Sequence, residues 1–350
     1  MRQRIRFSAT PAGRVAYSVM GNGPVLLCDT GWVGHLEKML EMKSVRAFFA
    51  ALAERFSVVR YDKAGSGLSD RTGVDLSFHG QVSALLAIAD QLEADRFHLF
   101  GASQGGQVAA ALTALHPKRT NKLVLYGMCA RGSDLAPADV RASLVSLVRA
   151  HWGLGSQALA GIFLPDPAPD DVREFAEWQR SAASSDIAAE LLTEYYRTDI
   201  SLLLPKIQAP TLVMHREHDR ATGFQLGREV ASLIPRATFI PLHGRAHLFW
   251  KGEWEQILES LLDFLDEPAT ATPVSLSSRE LEVASLVAEG LTNQEIAHRL
   301  FIAPRTAETH LENIRQKLGF RSRAQVATWV TARRQGRDPG TPVRSSPGPS

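Results

Sequence analysis

Cysteine is scarce: Cys28 and Cys129 are the two thiols in 350 residues, which excludes a disulfide-dense scaffold. Both lie in apolar, strand-like runs and read as buried thiols of a reducing compartment. No apolar run reaches membrane-spanning length. The opening Met1-Arg-Gln-Arg-Ile-Arg-Phe7 also lacks the apolar core of a signal peptide, so a cytoplasmic protein without a membrane partner is expected. Net charge is nearly absent, with 39 Lys+Arg against 37 Asp+Glu for a total of +2. The chain as a whole is therefore no polyanion binder. The charge is unevenly spread, however: residues 276–350 hold eleven Arg/Lys against seven Asp/Glu, so the C-terminal part is expected to meet a polyanion. A hydrophobic content of 45% with 22% charged residues is that of a globular protein. The length suits one large domain and one small one.

One run organises the larger part. His98-Leu-Phe-Gly101-Ala-Ser103-Gln-Gly105-Gly106 places Gly-x-Ser-x-Gly between an apolar segment and a helix-forming stretch. A strand turning so sharply into a helix strains its apex and exposes the Ser103 hydroxyl, and glycines are needed where side chains would strike the neighbouring backbone. The helix N-terminus brings free N–H groups and a positive dipole end beside that oxygen. The surroundings alternate strands with helices. Apolar runs at Arg4–Ser8, Val15–Val19, Val25–Cys28, Ser57–Tyr61, Phe97–Phe100, Lys122–Tyr126, Thr211–His215 and Thr238–Leu242 predict a largely parallel sheet covered on both faces. Residues 132–201 break the rhythm with helical segments, no convincing strand, and a crowd of aromatics: Trp152, Phe163, Phe175, Trp178, Tyr195 and Tyr196. This stretch reads as an inserted helical lid, with the rings chiefly as its core.

With these residues in place, residues 1–267 resemble the α/β-hydrolase fold, in the order Ser, acid, His. The resemblance implies Ser103 as nucleophile, Asp219 as the acid after the next-to-last strand, and His247 as the base after the last. His243, Glu217 and Asp134 stand as rivals for the base and the acid. It also implies an oxyanion hole from the backbone N–H groups of Trp32 and Gln104. Asp62-Lys-Ala-Gly-Ser-Gly-Leu-Ser69 matches the family's Asp-x-x-Gly-x-Gly-x-Ser loop, a structural element. Two departures are Thr30 where the family often has His, and Ala64 where Arg is common.

Residues 268–274, rich in Pro, Ala and Thr, read as a linker, and the Pro/Gly/Ser-rich 336–350 as a disordered tail. Between them, 275–335 carries two capping boxes, Ser277-Ser-Arg-Glu280 and Thr292-Asn-Gln-Glu295, each opening a helix. A third helix from Arg305 to Leu318 and a fourth from Ser322 to Thr331 complete a small all-α helix-turn-helix unit. Leu276-x-x-Arg-Glu, Gly290-Leu-Thr-Asn-x-Glu-Ile-Ala297, Thr306-Ala-Glu-Thr-His310 and Lys317-Leu-Gly-Phe-x-Ser-Arg323 closely resemble the LuxR-type DNA-binding domain. That resemblance implies a third helix lying in the major groove of double-stranded DNA. Glu308, Thr309 and Glu312 would then face base edges, while Arg305, Thr306, Lys317 and Arg321 approach phosphates. Glutamates at reading positions favour cytosine N4 donors. His310, spaced with Ile314, is expected in the core.

The reading that joins both parts is an α/β fold fused to a DNA-binding unit. It describes a homodimeric transcriptional regulator whose hydrolase domain senses, and turns over, a small ester-, lactone- or amide-like ligand. A catalytically silent sensor, and a hydrolase that the DNA-binding unit merely localises or oligomerises, remain open from the sequence. Neither a metal nor another cofactor is expected.

Overall fold

A computed structural model of the chain describes residues 3–164, 167–266, 278–300, 302–318, 320 and 322–334. They form two compact units, divided at residue 270. The first is built on eight strands: β1 (Arg4–Thr10), β2 (Gly13–Met20), β3 (Val25–Asp29), β4 (Ser57–Tyr61), β5 (Phe97–Ala102), β6 (Thr120–Tyr126), β7 (Thr211–Arg216) and β8 (Ala237–Leu242). They lie in one sheet in the order β1-β2-β4-β3-β5-β6-β7-β8. The pairings β1–β2 and β2–β4 are antiparallel, and all others are parallel. The first hairpin is tighter than the polar alternation predicts. Both strands run up to Thr10 and Gly13, because Gly13 adopts a φ of +117° and the Thr10 hydroxyl bridges the turn to its carbonyl at 2.6 Å.

Helices α1 (Leu36–Met39), α2 (Lys43–Ala53), α3 (Phe78–Gln91) and α4 (Gln104–Leu115) follow strands of the first half. Four more, α5 (Ala138–Ala150), α6 (Trp152–Phe163), α7 (Pro169–Ala182) and α8 (Ser185–Arg197), fill the excursion between β6 and β7. Helices α9 (Phe224–Leu233) and α10 (Trp254–Asp266) close the unit. An antiparallel bridge between Arg131 and Asp199 ties the base of the excursion.

The central strands β5 and β7 are buried at every position, whereas edge strand β8 is half-exposed along most of its length. Side chains alternate between two cores, one on each face of the sheet. Phe100 and Ala102 of β5, Val124 and Tyr126 of β6, and Leu212 and Met214 of β7 enter one core. Phe97 and Leu99, Leu123 and Leu125, and Val213 enter the other. This is the period-two arrangement of a sheet covered on both sides. Because β5, β7 and β8 are parallel, their carboxyl ends emerge at one edge, and the loops that follow them meet there.

The second unit consists of α11 (Ser278–Ala288), α12 (Asn293–Leu300), α13 (Pro304–Leu318) and α14 (Arg323–Arg334). Val283, Leu286 and Val287 share its core with Ile296, Leu311, Ile314 and Val326. Helix α13 begins one residue earlier than the charge pattern predicts, because Pro304 is preorganised for the first helical turn and has no N–H to leave unpaired. The linker and tail assigned to 268–274 and 336–350, and Arg321, lie outside the described residues. Among the described residues no helix is long and apolar enough to cross a membrane, and no three His, Cys, Asp or Glu gather as metal ligands.

Candidate active site and nucleic-acid interface

Ser103 sits between β5 and α4 with φ 54° and ψ −129°, a region that non-glycine residues enter only under constraint. The constraint is visible. The Ser103 N–H is held by the Tyr126 carbonyl at 2.9 Å. A Cβ on Gly101 would come within 2.7 Å of the Gly106 Cα, and one on Gly105 within 2.1 Å of the Asp29 carbonyl oxygen. The hydroxyl so presented lies 2.9 Å from His247 Nε2, and His247 Nδ1 donates to Asp219 Oδ2 at 2.8 Å. That second bond leaves the Nε2 lone pair to accept the serine proton. Asp219 Oδ1 accepts from the N–H groups of Ala221 (2.9 Å) and Thr222 (3.2 Å). Burial alone pushes the Asp219 carboxyl up. The charge and hydrogen bond of His247, together with His215 and the Thr222 N–H, outweigh burial and hold it below its ordinary value. The carboxylate stays ionised to orient the imidazole.

Gln104 opens α4 and Trp32 follows β3, and among the described residues neither backbone N–H is hydrogen-bonded within the protein. Both loops are braced from beneath by a buried polar chain. Lys63 Nζ bonds Asp29 Oδ2 at 2.7 Å and Gln81 Oε1 at 3.2 Å, the Tyr61 hydroxyl donates to Asp29 Oδ2 at 2.7 Å, and Gln104 Nε2 donates to Gln81 Oε1 at 2.8 Å. Asp29 and Gln104 thereby share one network. The base is tethered as well. Buried Arg216, at the end of β7, donates to the carbonyls of Ala246 (2.8 Å) and Lys251 (2.6 Å), and the Tyr126 hydroxyl reaches Ala246 O at 3.2 Å. The loop carrying His247 is clamped on both sides of the imidazole.

Two cavities open on Ser103 and His247 and share Trp32 and Phe163 as walls. One, of about 30 Å³, is ringed by Phe175, Trp178, Phe249 and Trp250. The other, of about 180 Å³, is bounded by Leu135, Leu144, Leu159, Leu192, Tyr195 and Arg220. The excursion therefore closes over the site. The Phe163 ring stacks on His247 with centroids 5.3 Å apart, and its carbonyl accepts the His247 N–H at 3.1 Å. Here the expectation for the aromatics is corrected in part: Phe163, Phe175, Trp178, Tyr195 and Tyr196 pack as core and also line the cavities. Tyr195 stands beside Ser103, Thr222 and Cys129, and burial raises its phenol well above the usual value, so it remains a neutral donor.

In the second unit, Thr292 and Glu295 form the reciprocal cap. Glu295 N–H donates to Thr292 Oγ1 at 3.3 Å, and Thr292 N–H to Glu295 Oε2 at 2.7 Å. Arg323 bonds Asn293 Oδ1 at 2.8 Å and also the Leu291 carbonyl, pinning the start of α14 to that of α12. On α13, Ala307, Leu311 and Ile314 face the core, while Arg305, Thr306, Glu308, Thr309 and Glu312 are exposed. The Lys317 side chain and all of Arg321 lie outside the described residues. His310 is only half-buried, which corrects its expected placement in the core: about 60° round the helix from Ala307 and about 100° from Leu311, it falls at the boundary of that stripe.

The alpha/beta hydrolase fold family matches residues 24–253. The chain belongs to that family. Bacterial regulatory proteins of the luxR family match residues 274–330, so this α/β-hydrolase carries a LuxR-type helix-turn-helix domain. A hydrolase of solved structure from Pseudomonas aeruginosa PA01 superposes with a TM-score of 0.66 at 27% identity, covering 75% of this chain and 98% of that one. The pyrrolizixenacetamide deacetylase of Xenorhabdus hominickii is 26% identical over 270 residues, 73% of this chain and 97% of its own. The transcriptional regulatory protein LiaR of Bacillus subtilis is 49% identical over 56 residues, 16% of this chain and 26% of its own. Fusion of the two parts has the composition of a transcriptional regulator with a hydrolase-like domain.

Within this hydrolase fold the rival residues pair elsewhere. His243 is exposed and bonds Glu217 at 3.1 Å, and Asp134 pairs with Arg131 at 2.8 Å. The Asp62 loop is a structural knot: Asp62 Oδ2 accepts the Leu68 N–H at 2.9 Å, and Ser69 Oγ donates to the Asp62 carbonyl at 2.6 Å. Sequence reasoning missed the Asp29–Lys63–Gln81 brace and the Arg216 clamp. A charge at the end of each apolar strand, Cys28-Asp29 and His215-Arg216, was the available signal.

Proposed function

We propose that the hydrolase domain is a serine hydrolase acting on a small ester-, lactone- or amide-like signal, and that this ligand governs DNA binding by the helix-turn-helix domain. The reading rests on the continuous Ser103–His247–Asp219 relay, with hydrogen bonds of 2.9 and 2.8 Å. His247 takes the Ser103 proton as Oγ attacks the acyl carbon, and Asp219 stabilises the imidazolium. The Trp32 and Gln104 N–H groups receive the oxyanion. The imidazolium then protonates the leaving group, and water attacks the acyl-serine by the same relay in reverse. The relative from Xenorhabdus hominickii, named a deacetylase, fits acyl chemistry of this kind. Arg305, Thr306 and Lys317 of α13, with Arg321 beyond it in sequence, are assigned to phosphates, and Glu308, Thr309 and Glu312 of α13 to base edges, in a homodimer on paired half-sites.

A fluorophosphonate probe should label Ser103, and His247→Ala should slow labelling at least a hundredfold, within the range for loss of a general base. Equal rates in the two proteins would remove the relay. Coupling is tested separately by promoter occupancy with and without substrate. A tenfold change needs about 1.4 kcal/mol of differential affinity, and unchanged occupancy in both native protein and Ser103→Ala would defeat the sensor role.

A further inference from the structure

We infer that the larger of the two cavities selects substrates carrying an anionic group, with Arg220 as the recognising cation. This rests on the hydrolase reading of Ser103 for its place in catalysis, but the binding it asserts does not.

The two cavities are unequal in size and in charge. On the scale in which one water needs about 10–15 Å³, a dry protein cavity of about 150 Å³ holds benzene. The smaller chamber, about 30 Å³, therefore takes a group of methyl size. The larger, about 180 Å³, takes a ring or a short branched chain. An acyl compound bound across Ser103 has a short arm on one side and a bulky arm on the other.

The larger chamber is lined by Leu135, Leu144, Leu159 and Leu192 and also by Arg220, an exposed residue. No Asp or Glu lines this chamber. Arg220 makes no ion pair among the described residues. Of the carboxylates next in chain to lining residues, Asp134 is held by Arg131 at 2.8 Å, Glu194 accepts the Phe78 N–H at 3.2 Å and Asp219 is engaged by His247, while exposed Asp139, beside Val140, makes no ion pair among the described residues. A second cation supports the same sign of field. Arg141 lies 5.8 Å from the centroid of Tyr196, and its Nε donates to the Ala136 carbonyl at 2.9 Å. Tyr196 and Ala136 both line the chamber. Arg220 is exposed and is among the residues lining this largely apolar chamber, and a guanidinium without an acidic partner among the described residues suits a planar carboxylate that can accept two parallel N–H bonds. The substrate class is thus a small acyl ester or amide whose larger, apolar portion ends in a carboxylate.

A matched pair of probes separates charge from shape: 4-acetoxybenzoate and its methyl ester. The acetyl methyl fits the small chamber, and the ring fits the large one with its substituent toward Arg220. Calorimetric titration of the full-length Ser103→Ala protein reads binding without turnover. The acid should bind about fivefold more tightly than the methyl ester at low ionic strength, the scale of a partly exposed ion pair. Added salt should shrink that ratio. Ser103→Ala/Arg220→Gln should lose the preference while still binding the ester, and Ser103→Ala/Arg220→Lys should keep most of it. Equal binding of the two probes, binding of neither, or a preference that survives Arg220→Gln would overturn the assignment. Phosphonate labelling of Ser103 in the native chain is the independent arm. Its failure alongside an intact acid preference would remove hydrolysis and leave the anion site standing.

Discussion

At the scale of single residues, the site depends on charges placed where strands end. Lys63 and Asp29 are almost fully buried, with side-chain exposures of 5% and 2%. Burial pulls the Lys63 ammonium below its ordinary value against the attraction of Asp29. Removing one member of such a pair leaves the other charge stranded, which costs about 3–5 kcal/mol, while replacing both by apolar groups is close to neutral. Lys63→Met should therefore lower unfolding stability by about that amount. Asp29→Leu/Lys63→Met should recover most of it in urea denaturation. The double variant should still lose phosphonate labelling rate, because Gln104 no longer has a fixed brace. A double variant as unstable as the single one would show that the pair contributes more than charge compensation. The two buried thiols behave as the sequence implies: both are unpaired, and burial drives both up, Cys129 to about 12, so neither supplies a thiolate near neutral pH.

At the scale of elements, the strand–turn–helix around Ser103 and the third helix of the C-terminal unit are where the two proposed activities are assigned. The first was legible because Gly101 and Gly105 have a steric reason that holds in any surroundings. The second was legible because alternating buried and exposed positions on α13 follow directly from helical period. The lid was legible only as helices. Which of its rings reach the site depends on how α6 and α7 fold back, and no periodicity encodes that. On α13, the Thr309 hydroxyl donates to the Arg305 carbonyl at 2.9 Å and Glu312 pairs with Arg315 at 3.0 Å, so under the proposed assignment both exposed side chains exchange these bonds for contacts to bases. Arg305→Ala should weaken binding to all duplexes alike and reduce the salt slope by about one. Thr309→Ala should leave that slope intact and change sequence preference. Fluorescence anisotropy against promoter and random duplexes across a salt series separates the two, and an unchanged slope in Arg305→Ala would remove it from the phosphate contacts.

At the scale of the whole molecule, buried titratable groups set how stability responds to pH. Burial, with Lys122 and Arg96, lowers His98 from 6.5 to about 4, and burial likewise lowers His215. Both are neutral in the folded protein at a pH where the unfolded chain binds protons. Their contribution is present above pH 6.5 and is lost as pH falls below it, for His98 toward about 4. Asp62 opposes them, since burial raises its carboxyl from 3.8 to about 6, and the folded state then takes up that proton first. Three lowered histidines, His35 among them, against one raised carboxyl leave stability falling as the solution is acidified from pH 6.5 toward about 4. Thermal unfolding of the hydrolase unit should show it, and His98→Gln should flatten the slope; a Tm that rises on acidification would contradict the assignment. By itself the sequence determined the sheet with its helical insertion, the Ser-acid-His order, and a separate basic helix-turn-helix unit. Those features follow from local period, turn chemistry and charge, which act over a few residues. Only the tertiary structure decided that Lys63 and Arg216 hold the site's loops, and that one chamber is lined by an arginine without an ion pair among the described residues. Each depends on contacts between segments dozens of residues apart, where the parallel sheet brings strand ends together and burial decides which charges find partners.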